Sequence, residues 1–159
     1  MPKIKRHLMA HYIDSSITGT AAYERLGKGI EELTVDMNAN VNTVRDITGT
    51  ADTNIDGYEP SFAVEPYVAD SGSGMFTRLQ SIIDERKTLD DLKTTVVEVH
   101  TWEEPETGAY PAYREDAIIE VVSYGGDTSA YQLPFNVHLV GNRVAGTFNP
   151  TTKAFTAGS

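Results

Sequence analysis

The run at 131–141, YQLPFNVHLVG, sets the period on which most of this chain must be read. Tyr131, Leu133, Phe135, Val137 and Leu139 fall on one face, and Gln132, Pro134, Asn136 and His138 on the other. Successive strand side chains point to opposite sides of a sheet, so this pattern is a strand with one face against a core. Gly141-Asn142 then predicts a tight hairpin into a strand over 143–148, because both residues tolerate the positive φ such a turn demands. Asn149-Pro-Thr-Thr breaks the chain before a last edge strand at 153–156.

The same logic marks other strands. Residues 7–13 and 21–26 have strand-like content, and 94–102 (TTVVEVHTW) is rich in β-branched residues. The apolar run AIIEVV lies inside 114–124, and Phe62, Val64 and Val68 define a face over 61–68, with Pro66 favouring an edge or a strand end. In 30–37, Glu31, Leu33, Val35 and Met37 alternate with Ile30, Glu32, Thr34 and Asp36, a half-buried strand. That strand opens the stretch 27–62, which continues through an extended run at 41–47 into a Gly-, Thr- and Asp-rich loop. A long excursion from a β scaffold commonly exists to touch a partner, here a neighbouring copy of the chain.

One segment keeps a different period. Met75, Phe76, Leu79, Ile82 and Ile83 form a single stripe at helical spacing. Ser73 is placed to cap the N-terminus, and Arg86 and Lys87 lie near the C-terminus, where cations complement the helix dipole. Helix 74–87 is therefore read as a cover on one end or face of the β core. The expected fold is mainly β: an antiparallel β-sandwich or partial barrel with one flanking α-helix and a long protruding loop at 38–60. All 159 residues form one domain, with an N-terminal arm at 1–6 and a C-terminal arm at 149–159.

Composition narrows function by exclusion. There is no cysteine, which removes thiol chemistry, disulfides and Cys-based zinc sites. Net charge is −10, and 46–77 holds six acids (Asp46, Asp52, Asp56, Glu59, Glu65, Asp70) with no Lys or Arg. A conventional nucleic-acid binder needs the opposite sign to neutralise phosphates. The opening MPKIKRHLMAHYID lacks a long apolar run, so no signal peptide or membrane anchor is expected.

The catalytic and ligand motifs fail on spacing. Asp52-Thr-Asn54-Ile-Asp56-Gly57 opens like a calcium loop, but Ala63 occupies the closing position and Glu65 lies two residues too far. Gly27-Lys28-Gly29 lacks the rest of a phosphate loop. Glu103, Glu104 and Glu106 read as a solvated turn, and Ser15, Ser16 and Ser123 have no nucleophile-elbow context. His7 and His11 are spaced to share a strand face, without a third ligand nearby. No enzyme activity, cofactor or metal is expected.

HYID near the start, YERLGKGIEELTVDMN, ITGT at 47–50, GYEPSFAVEPY, REDAIIEVVSYGGD and GNRVAGTF together cover most of the chain. In these segments the sequence resembles the major tail (tail tube) proteins of long-tailed bacteriophages. The resemblance implies a single tail-tube domain, similar in fold to the tube-forming hemolysin-coregulated protein of type VI secretion. It further implies six-membered rings stacked into a tube through which DNA leaves the virion, made in the host bacterial cytoplasm and located in the virion tail. The implied partners are other copies of the chain, tape-measure and tail terminator proteins, and DNA in transient, non-binding passage. Under this reading Lys3, Lys5, Arg6, Asp46, Asp52, Asp56 and Glu59 are candidate inter-ring contacts. Glu32, Thr34 and Asp36 are candidate lumen residues, since a lumen of negative sign would repel phosphates. Two alternatives stay open: a β-sandwich binding module, for example carbohydrate-binding through Trp102 and the eight Tyr, and a tube protein of a contractile tail, bacteriocin or type VI-like system.

Overall fold

The computed structural model describes residues 3–16, 20–27, 30, 33–64 and 67–158. In chain order its elements are β1 (Met9–Asp14), β2 (Tyr23–Leu26), β3 (Ala39–Arg45), β4 (Ala51–Tyr58), β5 (Ser61–Val64), α1 (Gly74–Glu85), β6 (Lys93–His100), β7 (Tyr110–Val121), β8 (Gly125–Gly126), β9 (Tyr131–Gln132), β10 (Phe135–Asn149) and β11 (Ala154–Ala157). The main sheet is antiparallel in the order β11-β10-β7-β6-β1-β2, with β5 also paired to β10. It curls into a half-barrel, so the mainly β class with one flanking α-helix is the fold observed.

The alternation at 131–141 is realised on the core side: Leu133, Phe135 and Val137 are fully buried. The expected Gly141-Asn142 hairpin is not. Strand β10 runs straight through it, and the positive φ values (113° at Gly141, 60° at Asn142) serve a bulge instead. The register against β7 slips between Leu139 and Gly141 and again between Gly141 and Val144. The cause is β7, whose twelve residues keep offering ladder partners beyond the bulge, from Arg114 opposite Val144 to Tyr110 opposite Phe148. Bulges sharpen local twist, which bends the sheet here. The two halves of β10 then carry different outer neighbours, β5 on 135–138 and β11 on 146–149. The last edge strand expected at 153–156 is present as β11, where the C-terminal segment turns back and pairs with β10.

Both sheet faces are covered over part of their area. On one, Ile13, Val96, Ile119, Phe135 and Val137 pack with Phe62, Val64 and the α1 stripe of Met75, Leu79, Ile82 and Ile83. On the other, Ala10, Tyr12, Val97, Val99, Ala112 and Phe148 form a second cluster. Full burial of each large side chain contributes roughly 1.5–3 kcal/mol relative to exposure.

Helix α1 is fixed at both ends. Ser73 Oγ accepts from Phe76 N–H at 3.4 Å and donates to Glu24 Oε1 at 2.6 Å. Glu24 also accepts from Met75 N–H, placing a carboxylate on the positive helix end. Gly74 is required by space: a Cβ there would lie 2.9 Å from Ser15 Oγ. The helix stops at Glu85, short of 87, because Arg86 adopts φ 49°, and the N–H groups of Arg86 and Lys87 fold back on Ile83 and Ile82.

The expected strand over 30–37 is corrected. Its only ladder pairing among the described residues is at Asp36, which exchanges both backbone bonds with Ser61. Leu33 is buried and Ile30 and Val35 pack on the core, so among the described residues the alternation reflects a covering segment paired only at Asp36. Residues 31 and 32 lie outside the described residues. His7 and His11 do not share a face either: His7 sits exposed in a 3-10 turn (Arg6–Leu8) ahead of β1, whereas His11 is buried within the strand.

Candidate assembly surfaces

The 38–60 excursion is a β-hairpin. Strands β3 and β4 pair from Ala39 opposite Tyr58 to Arg45 opposite Ala51, in a two-stranded sheet of their own. The backbone bonds of Asp36 with Ser61 tie its base to the body. Apart from half-buried Asn42 and Gly57, both strands are exposed throughout. Register puts Ala39, Val41 and Thr43 on one face with Tyr58, Ile55 and Thr53. The opposite face carries Asn42, Val44, Asp52 and Asn54. The hairpin is therefore amphipathic, yet Val41, Ile55 and Tyr58 are each more than half exposed. A lone two-stranded hairpin is marginal in water. This one has an apolar face and no core to bury it in.

Its turn is well built. Asp46 accepts from Thr48 Oγ1 and from the N–H groups of Thr48 and Thr50, at 2.5, 2.9 and 3.2 Å, and Gly49 supplies φ 85°. The hydroxyl bond from Thr48, followed by the backbone bond from Thr50, holds the Asp46 carboxyl below its ordinary range. Ile47 stands fully exposed at the tip. Asp52 and Asp56 lie in a continuous strand, which is a further reason to set the calcium-loop pattern aside.

Where the hairpin meets the body, the sheet is uncovered and an open cleft of about 1140 Å³ remains. Its floor includes Met9, His11, Glu98, Glu115 and Arg143; its walls are 33–35 with Met37, 58–60 and 138–141. Arg143 forks between two carboxylates, Nη1 to Glu115 Oε1 at 2.9 Å and Nη2 to Glu98 Oε2 at 3.2 Å, and lies 4.3 Å above the Tyr113 ring. His100 bridges Glu98 (3.0 Å) and Glu103 (3.2 Å) and stacks on Trp102. Burial works to raise the Glu98 carboxyl, but the bonds from His100 and Arg143 outweigh it and hold it down. Burial also works against the Arg143 charge, and the bonds from Glu115 and Glu98 push its pKa up. Replacing Arg143 with Met would leave the two carboxylates facing each other without their shared cation. Because Arg143 is 43 % exposed, the expected loss is about 1–2 kcal/mol, below the roughly 3–5 kcal/mol of a fully buried pair. Urea unfolding at pH 7 measures it; an unchanged midpoint would refute the role of the fork.

The predicted contact residues fall at separated places. Asp46 is at the hairpin tip, Asp52 and Asp56 along β4, and Glu59 at the base, lining the cleft. Lys3 and Lys5 are exposed, and Arg6 lines the cleft while donating to the carbonyls of Met9 (2.6 Å) and Leu33 (2.9 Å). Within one chain the structure brings Arg6 and Glu59 to the same cleft and leaves Asp46 remote. Of the lumen candidates, Thr34 lines the cleft and Asp36 is exposed; Glu32 lies outside the described residues. The Arg143 fork and the burial of His11 were not anticipated. The alternation of Glu98 and His100 with Val97 and Val99 was the available signal for a polar patch on β6.

No family model matches the sequence, and no curated protein does. Among solved structures the chain is similar to the tube-terminating cap of the anti-feeding prophage, seen by cryo-EM. The TM-score is 0.52 at 12% sequence identity, over 92% of this chain and 93% of that one. At that identity the likeness establishes a shared fold.

Proposed function

We propose that the chain is a structural, non-enzymatic tail protein that assembles with copies of itself into rings, stacked as a tail tube in the virion. The observation that carries this reading is the exposed amphipathic hairpin, standing off a fold shared with a tube-terminating cap. The open sheet adds to it: among the described residues β2 is one free edge, and β5 and β11 form the other. Joining unlike edges from copy to copy would close a ring and remove strand edges otherwise prone to aggregation. The hairpin then serves ring-to-ring contact, and Asp36 faces the channel taken by DNA. Tape-measure and terminator proteins are the further partners of such a tube.

The likeness to a cap favours a second reading, in which the chain terminates a tube. A tube protein offers stacking surfaces on both sides of its ring, whereas a terminator offers one. Negative-stain microscopy of concentrated protein separates them: long hollow tubes support the tube reading and single rings the terminator. A chain that stays monomeric under all conditions and binds a glycan would sink both.

A further inference from the structure

Among the described residues the main sheet ends at β2 on one side and at β11 and β5 on the other, and the backbone decides which of those edges can accept a strand. Strand β5 is already taken at its start: Ser61 gives both its N–H and its C=O to Asp36, on the side away from β10. Strand β11 is open. Gly158 N–H bonds Ala145 O, and a Cβ on Gly146 would run into Thr156 O, so Thr156 turns its backbone groups toward β10. Antiparallel bonding alternates along a strand, which leaves the N–H and C=O of Phe155 and Ala157 facing outward. At the far edge Ala22 O accepts from Ser15 N–H, and the same alternation turns Tyr23 and Arg25 outward. Each of these two edge strands is four residues long. Edges that stay exposed are commonly blunted by charges, proline or a bulge; β11, Ala-Phe-Thr-Ala, has none of them.

We propose that β11 of one copy adds antiparallel to β2 of the next, with Phe155 opposite Arg25 and Ala157 opposite Tyr23. Strand direction selects this pair. Every pairing along β11-β10-β7-β6-β1-β2 is antiparallel, so the two ends of the sheet run opposite ways. Turning a copy about an axis along the strands therefore brings its β11 beside the neighbouring β2 in the antiparallel sense used by the rest of the sheet. Two β11 edges, or two β2 edges, related by such a rotation would run parallel. The register named is the one in which all four outward residues find partners. It also matches faces. Tyr23 and Phe155 both lie half-buried against the Tyr12 and Phe148 cluster of their own chain, and in the joined sheet they fall on one side. The contact uses unlike surfaces and repeats by rotation, so it closes a ring when the rotations sum to a full turn. This rests on the self-assembly reading and names the strands, direction and register behind its ring.

Arg25→Cys and Phe155→Cys test the register in a chain with no native cysteine. A bonded antiparallel pair has Cα atoms about 5.5 Å apart, inside the roughly 4.4–6.8 Å that a disulfide spans. Under mild oxidation the two variants mixed should crosslink, and the double variant should end in a covalent ring. Arg25→Cys mixed with Thr156→Cys should not crosslink, because those side chains lie on opposite faces. Ala157→Pro is the second test. It deletes an N–H that faces solvent in the free chain, so the melting temperature should stay within a few degrees of wild type while rings disappear from negative-stain fields. A crosslink between Arg25→Cys and Ala63→Cys on β5, or from Arg25→Cys or Phe155→Cys alone, would overturn the pairing. Rings of Ala157→Pro at wild-type yield would overturn it too, and would leave the tail reading standing. If the wild-type chain never associates by light scattering, the pairing and the tail reading fall together.

Discussion

Lowering the pH from 7 to 4 should destabilise the isolated chain by up to about 3 kcal/mol through one residue, His11. Burial in the floor of the cleft, beneath Phe62 at a ring separation of 5.7 Å, brings the His11 pKa down to about 4. The nearby Glu98 carboxylate opposes this, while Arg6, His100 and Arg143 add to it. In the unfolded chain the same imidazole titrates near 6.5. Between those values the unfolded chain takes up a proton that the folded chain refuses, so stability falls as pH drops from about 6.5 to 4 and is fully present above that window. The Glu98 carboxyl, held down by His100 and Arg143, adds a second loss at lower pH. Denaturant unfolding at pH 7.5, 5.5 and 4.0, with wild type and His11→Leu, resolves the contribution. The variant should lose most of the slope across the window, and an identical slope in the two proteins would refute the assignment.

What was legible in the sequence follows from how local each signal is. The β10 alternation and the α1 stripe rest on neighbours one to eight residues apart, and both elements are present. Ser73 and the strand content of 94–102 are local in the same way. The failures needed a partner strand. Gly141-Asn142 has the chemistry of a hairpin turn, and only the length of β7 decides that it becomes a bulge within β10. The 30–37 alternation reports burial faithfully at Leu33, but nothing in those residues says that pairing among the described residues is confined to Asp36. The polar turn signals at 46–57 read as a loop, although Thr43 opposite Thr53 and Val41 opposite Ile55 make it a paired hairpin. Arg143 gives no sign in the sequence that it joins Glu98 on β6 to Glu115 on β7, since that meeting depends on the bulge register. Side-chain patterns report which face is covered; they do not report which strand lies alongside.

Excising 39–58 and closing Asn38 to Glu59 through a short Gly-containing turn should abolish axial assembly while leaving the body folded. The hairpin contributes no residue to either core cluster, and the Asp36–Ser61 backbone pair below it remains to hold the ends together. Thermal unfolding of the excised chain should therefore stay within a few degrees of wild type. A cut at 46–59 would be a poorer experiment, because it removes β4 and leaves β3 as an unpaired strand. Two quantities discriminate the outcomes: the melting temperature and the length distribution of assemblies by negative stain. A folded chain that still closes rings but cannot stack them would assign the sheet edges to ring closure and the hairpin to stacking. Tubes of wild-type length from the excised chain would remove the hairpin from assembly altogether. The hairpin exposes Val41, Ile47, Ile55 and Tyr58 together. In a free monomer exposed apolar side chains of this kind favour aggregation, and the proposed assembly would cover them.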